Sequence, residues 1–539
     1  VRWRLSTLGI VSLAVLVVIV VISPVLFLFY QTLSKPDVVR VVLEDRTTWH
    51  LLGRSMLLAS AVAVTSMALG TALAWLTIRA HWPPWARAGL TVLLCIALAV
   101  PSYVAAFGLL AATGSSGVLG WALPEWFHAR DYPLLSSWAV LVCCTYPYVL
   151  LSVRSSLMRE CASLEEAAMC LGASRWRAFF TIALPRIAPG MIWGGMLAAL
   201  YCLADFGAVS LIGYETLTWG IYTRYHTAFA LDEARSLAVL LALVTLVLIV
   251  LMRFVRPDIA PATSNVPTHS QPVHLGWWLL PALVLMGLPL FVGVALPVLA
   301  ALHWLSASDA LVTTLLGTTS PAISTIVMAF TAALLVPLLA LPIATLHLGQ
   351  QRSRSQRAMR SLLTPLTLIG FALPGMVIAI AGISLALRLD QFVEWLFNLP
   401  MESRLYQSHL LLLLAYAALF LPEAVGPLRS NAQRIHAEQF DAASQFGGSA
   451  WTTWRRIALP QLIPGLAAGG ALVFVTTAKE LPATLLMAPP GFRTLATQLW
   501  GTLSEAYFAQ AAAAALALLV VAGLGLGIML WVERIGQSR

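Results

Sequence analysis

Two stretches decide how this chain reads: Glu166-Ala-Ala-Met-Cys-Leu-Gly-Ala-Ser-Arg-Trp-Arg-Ala-Phe-Phe-Thr-Ile-Ala-Leu-Pro-Arg-Ile-Ala-Pro-Gly190 and Asp441-Ala-Ala-Ser-Gln-Phe-Gly-Gly-Ser-Ala-Trp-Thr-Thr-Trp-Arg-Arg-Ile-Ala-Leu-Pro-Gln-Leu-Ile-Pro-Gly465. They superpose at an offset of 275 residues, with Ala167/Ala442, Ala168/Ala443, Gly172/Gly447, Ser174/Ser449, Trp176/Trp451, Ile182/Ile457, Pro185/Pro460 and Gly190/Gly465 identical. Self-similarity of this kind means that one architecture is present twice. Each copy reads as a short helix, a glycine stop and an apolar stretch leading into the next long segment. Ser163 and Glu166 have capping-box spacing, which predicts the helix start, and Gly172 suits the left-handed position that ends it. Ala167 and Ala168 leave the helix thin enough for another surface to approach. One copy alone reads as an ordinary re-entry loop, whereas two matched copies read as a docking element.

The surroundings of both copies are apolar. The 539 residues are 60% hydrophobic and 10% charged, far from the balance of soluble globular domains. Runs of about 20 apolar residues, the length that crosses a hydrocarbon core, recur throughout. They predict twelve spans at 9–33, 52–78, 88–112, 134–152, 188–212 and 234–254, then 277–303, 321–347, 362–387, 407–428, 463–487 and 508–532. The basic N-terminal residues and the run after them read as a retained first span, because the run is too long for a signal peptide. A net charge of +9 would suggest nucleic acid in a soluble protein. Here the arginines cluster in short loops between apolar runs, the positive-inside pattern, which argues against a nucleic-acid partner and for the bilayer of a bacterial inner membrane. On that pattern both termini and both repeated segments are cytoplasmic. All six cysteines lie in the first half without metal-ligand spacing, so neither a disulfide framework nor a metal site is expected.

The expected fold is therefore all-α and polytopic. A first domain would occupy 1–255 and a second 276–539, with six spans each. Residues 256–275, rich in Pro, Ser and Thr, read as a cytoplasmic linker. An even number of spans per half makes this a parallel repeat, whose axis runs along the membrane normal.

Glu-Ala-Ala, three residues, Gly, then Ile-x-Leu-Pro resembles the EAA loop of binding-protein-dependent ABC importer permeases of type I. The resemblance implies that Glu166, Ala167, Ala168, Gly172 and Pro185 belong to one ATPase-coupling loop, and Asp441, Ala442, Ala443, Gly447 and Pro460 to the other. Asp441 stands where the pattern has Glu, without a Ser or Thr three residues before it. The resemblance also implies two copies of a separate ATPase, which would carry ATP and Mg, and a periplasmic substrate-binding protein. No cofactor is expected on this chain. A phosphate-binding loop needs a Gly-Lys pair, and the only lysines, Lys35 and Lys479, follow Ser34 and Ala478. The chain reads as a permease and not as an enzyme.

After each loop comes an apolar run with a carboxylate near its end, Asp205 in one half and Glu480 in the other, at the same 275-residue offset. Carboxylates within or beside a span pair, cap a helix or line a wet pathway. The alternatives at this point are a pathway or gate formed by Asp205, Glu480, Tyr201, Tyr214 and Lys479, or a helix cap or pairing with a neighbour such as Lys479. Asp205-Phe-Gly, Trp219-Gly-Ile-Tyr222, Lys479-Glu-Leu-Pro-Ala-Thr and Thr494-Leu-Ala-Thr-Gln-Leu-Trp500 resemble the fused ferric-iron permeases. Ferric iron favours hard oxygen donors, which Asp205, Glu480, Tyr201 and Tyr214 could supply. Thiamine, phosphonate and polyamine permeases share the loop and stay open as alternatives. An ion-driven transporter or channel has no use for a duplicated coupling loop, and an intramembrane enzyme would need a constellation such as His-Glu-x-x-His, which is absent. His226 and His436 read as interfacial or loop residues.

Overall fold

The structure is a computed structural model and describes residues 2–114, 116–121, 128–159, 162–255, 273–348, 363, 370, 373–397, 405–446 and 449–537. Eleven helices among them are long and apolar enough to span a membrane, from Val11–Leu33 to Phe508–Ile528. A further pair, Trp85–Leu98 and Ser102–Ala112, passes the same test together but bends by 86°. Pro101 stands at the bend, where its extended backbone and missing N–H end one helix and start the next. An ion pair shows that the bent pair crosses. Arg79, closing the helix Arg46–Arg79, meets Glu165 at 2.7 Å in a nearly buried contact, so residues 79 and 165 share a face. Between them Pro133–Met158 crosses once, and the return crossing falls to the bent pair. That makes the predicted twelve. Six candidate spans lie among the described residues between the helix Ala162–Cys170 and its repeat Ala437–Gln445, an even number, as the expected common face requires.

The helices cluster into two compact units. One comprises residues 45–220 and 243–309. Its centre is the bundle of Arg46–Arg79, Pro133–Arg159 and Leu184–Ala204, with Leu73, Tyr146 and Leu150 buried together with Met286. The Tyr146 hydroxyl donates to the Leu94 carbonyl at 2.7 Å, which satisfies the one polar atom of a fully buried ring. The other unit comprises 1–44, 221–242 and 310–539. Its bundle is Thr319–Thr345, His409–Arg434 and Leu459–Ala478. At one end Asp232 accepts from Lys35 and from Arg235, each at 2.6 Å, and Arg235 reaches Ser384 at 2.8 Å.

Both bundles are closed by the same device. A Cβ at Gly194 would lie 2.6 Å from the Val149 Cα, and one at Gly469 would lie 3.1 Å from the Ala424 Cα. The two contacts are equivalent at the 275-residue offset. In lipid, where hydrophobicity does not drive helices together, such close backbone approach supplies the packing.

The compact units do not follow chain order. Residues 1–44 cluster with the second repeat, and 243–309, which holds the span Gly276–Ser306, with the first. Most of the expected linker lies outside the described residues. Its end is anchored where Val273 donates to the Arg79 carbonyl at 2.8 Å and accepts from His81 at 3.0 Å. Two predicted spans also end early. The runs 188–212 and 463–487 break after Ala204 and Ala478, and Gly207–Ile212 and Pro482–Met487 follow as separate short helices.

Candidate functional site

The first repeated segment folds as a helix, Ala162–Cys170, closed by a Schellman motif. Ala173 donates to the Ala168 carbonyl and Gly172 to that of Met169, both at 3.0 Å, with Gly172 at φ +90°. The predicted glycine stop is thus present. The helix is described from Ala162, one residue before the predicted start at Ser163. The second copy, Ala437–Gln445, carries Asp441 within it, and Gly447 lies outside the described residues. Ala167 and Ala442 are exposed and Ala168 and Ala443 half-buried, the same face in both copies.

Next to each glycine stands an apolar residue that the sequence reading passed over. Leu171 is 89% exposed and its equivalent Phe446 is 92% exposed. Trp176 and Trp451 are exposed too and stack on Phe180 and Trp454, with ring centroids 6.2 and 5.6 Å apart. Each repeat thus carries an exposed apolar side chain, a knob, at the same position beside its glycine. Behind the knobs, residues Phe179–Ala183 and Trp454–Ala458 form a π-turn at the same register. Leu184 bonds back to the Phe179 carbonyl and Leu459 to that of Trp454, just before Pro185 and Pro460. A third π-turn, Phe291–Ala295, also precedes a Leu-Pro pair. Proline lacks a donor and crowds the preceding turn, so the ladder widens there.

On the opposite face, across the spans Trp176–Ala204 and Trp451–Ala478, both candidate carboxylates act as helix caps. Buried Asp205 accepts through Oδ1 from the Ala208 and Val209 N–H groups at 3.0 and 3.4 Å and through Oδ2 from the Ser102 hydroxyl. Glu480 accepts through Oε1 from the Ala483 N–H at 2.9 Å and through Oε2 from the Thr484 N–H and hydroxyl at 3.0 and 2.8 Å. Lys479 forms the C-cap of Leu459–Ala478. Tyr201 lies one turn before Asp205 and its phenol meets the same Ser102 hydroxyl, so these two predicted residues do come together. Tyr214 turns elsewhere. Its hydroxyl donates to the Arg54 carbonyl at 3.2 Å, and the Arg54 guanidinium lies 4.4 Å from its ring centre. Burial raises the Tyr214 pKa above the ordinary phenol value, with Arg54 opposing, which makes a metal-binding phenolate harder to form.

The caps predict different responses to loss of charge. In Asp205→Asn the new amide group faces a hydroxyl that can turn to accept, so stability should change by less than about 1 kcal/mol. In Glu480→Gln an amide group replaces one oxygen, and each of the two oxygens faces a backbone N–H, which cannot turn to accept. A loss of about 1–3 kcal/mol is expected, read by thermal unfolding of the purified permease.

The sequence reading also missed the equivalents of Tyr201. Its ring lies 6.1 Å from that of Tyr148. At the same two positions of the second repeat stand Thr476 and Glu423, hydrogen-bonded at 2.8 Å. The 275-residue offset applied to Tyr201 would have found Thr476, and the same offset relates Tyr148 to Glu423.

The sequence profile of the family described as the binding-protein-dependent transport system inner membrane component matches residues 66–264 and again 339–537. The chain belongs to that family. It is a fused, tandem permease of the ABC importer type, and both matches begin inside the second span of a repeat. This permease is 27% identical over 470 residues to the Fe(3+)-transport system permease protein FbpB 2 of Haemophilus influenzae, covering 86% of each chain. It is 34% identical over 213 residues to the molybdenum transport system permease protein ModB of Escherichia coli, covering 37% of this chain and 91% of that one. With the sulfate transport system permease protein CysW of E. coli it shares 28% over 261 residues, 46% of this chain and 86% of that one. These relatives are transport permeases, and the family's name implies a binding protein and a membrane location.

Proposed function

We propose that this permease carries ferric iron from a periplasmic binding protein into the cytoplasm, driven by two copies of a separate ATPase. The observation that carries the substrate is one of architecture. The iron permease aligns through both repeats, while the molybdenum and sulfate permeases each align with less than half of the chain. Tyr148, Tyr201, Thr476 and Glu423, at equivalent positions of the repeats, present oxygen donors of the hard type that ferric iron takes. A carboxylate there suits a cation better than an oxyanion. The second reading, molybdate or sulfate, rests on the higher identity to the molybdenum permease.

In this reading the segments Glu166–Gly172 and Asp441–Gly447, with Pro185 and Pro460 behind them, are cytoplasmic ATPase contacts, as are both termini by location. ATP and Mg bind to the partner and not to this chain. The sequence repeats 1–255 and 276–539 move as the two halves of an alternating-access cycle. Cells carrying the permease with its ATPase and binding protein should accumulate radiolabelled ferric iron. The Gly172→Asp, Gly447→Asp double variant should fall to background. Uptake of molybdate or sulfate without iron would overturn the substrate, and normal uptake by the double variant would overturn the coupling assignment.

A further inference from the structure

After its break, each repeat continues in the same order: a short helix, then a ten-residue helix, then the last span. The ten-residue helices are Leu217–His226 and Leu495–Ser504. Both follow a threonine, Thr216 or Thr494, and both are pinned by their first N–H. Leu217 donates to the Ser55 hydroxyl at 2.8 Å, and Leu495 to the Thr325 hydroxyl at 2.9 Å. The register of the two helices is thereby set from identical starts. Their sixth residues are Tyr222 and Trp500, and these two rings touch edge to face, with centroids 5.5 Å apart at 71°.

Equivalent positions of a two-fold repeat meet only where the axis relating the copies passes between them. In a permease made of two halves that axis is the line along which substrate moves. Each of the two helices is one crossing away from its coupling loop, so the contact lies on the external face. We propose that Tyr222 and Trp500 are the closing pair of the external gate. The pair is braced. Tyr222 stacks on His226 at 5.2 Å, and Tyr225 shares a hydrogen bond of 2.9 Å with Tyr406. An edge-to-face aromatic pair holds the closed state modestly, as a gate that opens in every cycle requires. The gate rests on the importer reading given above.

The test uses the full chain assembled with its ATPase, its six native cysteines replaced, and Tyr222→Cys with Trp500→Cys. A short thiol cross-linker should join the pair in the nucleotide-free complex, block transport until the link is cleaved, and lose most of its yield with ATP and vanadate. Equal yield in both states, or full transport by the linked complex, overturns the gate. A second pair of variants reads the same contact without cysteines. Tyr222→Ala with Trp500→Ala should raise ATP hydrolysis in the absence of binding protein by roughly 2- to 12-fold, the range of an aromatic pair's worth, while Tyr222→Phe with Trp500→Phe should not. Identical hydrolysis by the alanine and phenylalanine variants counts against the gate. If binding protein fails to stimulate the unaltered complex, the importer reading itself falls.

Discussion

Leu171→Asp combined with Phe446→Asp should abolish ATP-driven transport and leave the permease as stable as before. Both side chains stand almost wholly free on the chain, so the fold owes them little, and thermal unfolding should move by no more than about 0.5 kcal/mol. Their worth lies in what covers them. An apolar anchor at the centre of an interface is worth about 2 kcal/mol or more, so each aspartate should weaken ATPase association about thirty-fold. A charge placed where water is excluded adds its own desolvation cost. Pull-down of the ATPase and calorimetry of the permease alone separate the two effects. Conservative changes, Leu171→Met and Phe446→Leu, should keep both association and transport. Loss of stability in step with loss of association would mean that the knobs belong to the fold and not to a partner.

Gly194→Leu, or Gly469→Leu, should have the opposite profile and prevent a folded permease from accumulating. At Gly194 even a methyl group would meet the Val149 backbone at 2.6 Å, and no rotamer of a larger side chain avoids it. The cost should reach or exceed the ~3 kcal/mol upper end for overpacking, because backbone and not a flexible tip must yield. The measurement is the yield of monodisperse protein in detergent. Gly53 provides the control, since a Cβ there meets nothing within 4 Å, and Gly53→Ala should be neutral or stabilise by up to about 1 kcal/mol. Equal yields for Gly194→Leu and Gly53→Ala would refute the close-packed bundle.

The tandem repeat and the helix that stops at Gly172 were legible because they rest on local chemistry: a glycine that ends a helix and a proline that widens the ladder. The span ends were not. Hydropathy registers composition and is blind to a carboxylate that gathers backbone N–H groups, so the breaks at Asp205 and Glu480 vanish inside apolar runs. Proline is no guide by itself either. Pro101 accompanies an 86° bend, while Pro147 and Pro422 sit inside continuous helices. The exposed knobs Leu171 and Phe446 look like ordinary apolar residues of a membrane protein until their surroundings are known. The aromatic contact of Tyr222 with Trp500 depends on two helices far apart in sequence, which no local pattern encodes.

The clustering of the first helix with residues 310–539 has a consequence for how the molecule is made. The helix Arg2–Leu33 leaves the ribosome early, but the long helices it packs on, Thr319–Thr345 and Gly375–Phe397, do not begin to emerge until Thr319, roughly 15 to 60 s later at ordinary rates of synthesis. During that interval it must wait in the bilayer without them. Its apolar window has a mean hydropathy of 3.1, higher than any other span among the described residues, and its exposed residues include Leu13, Leu16, Ile19 and Leu26. Such a surface is at ease in lipid and asks for no protein partner. The segment that must be patient longest is thus the one best able to live as a solitary anchor.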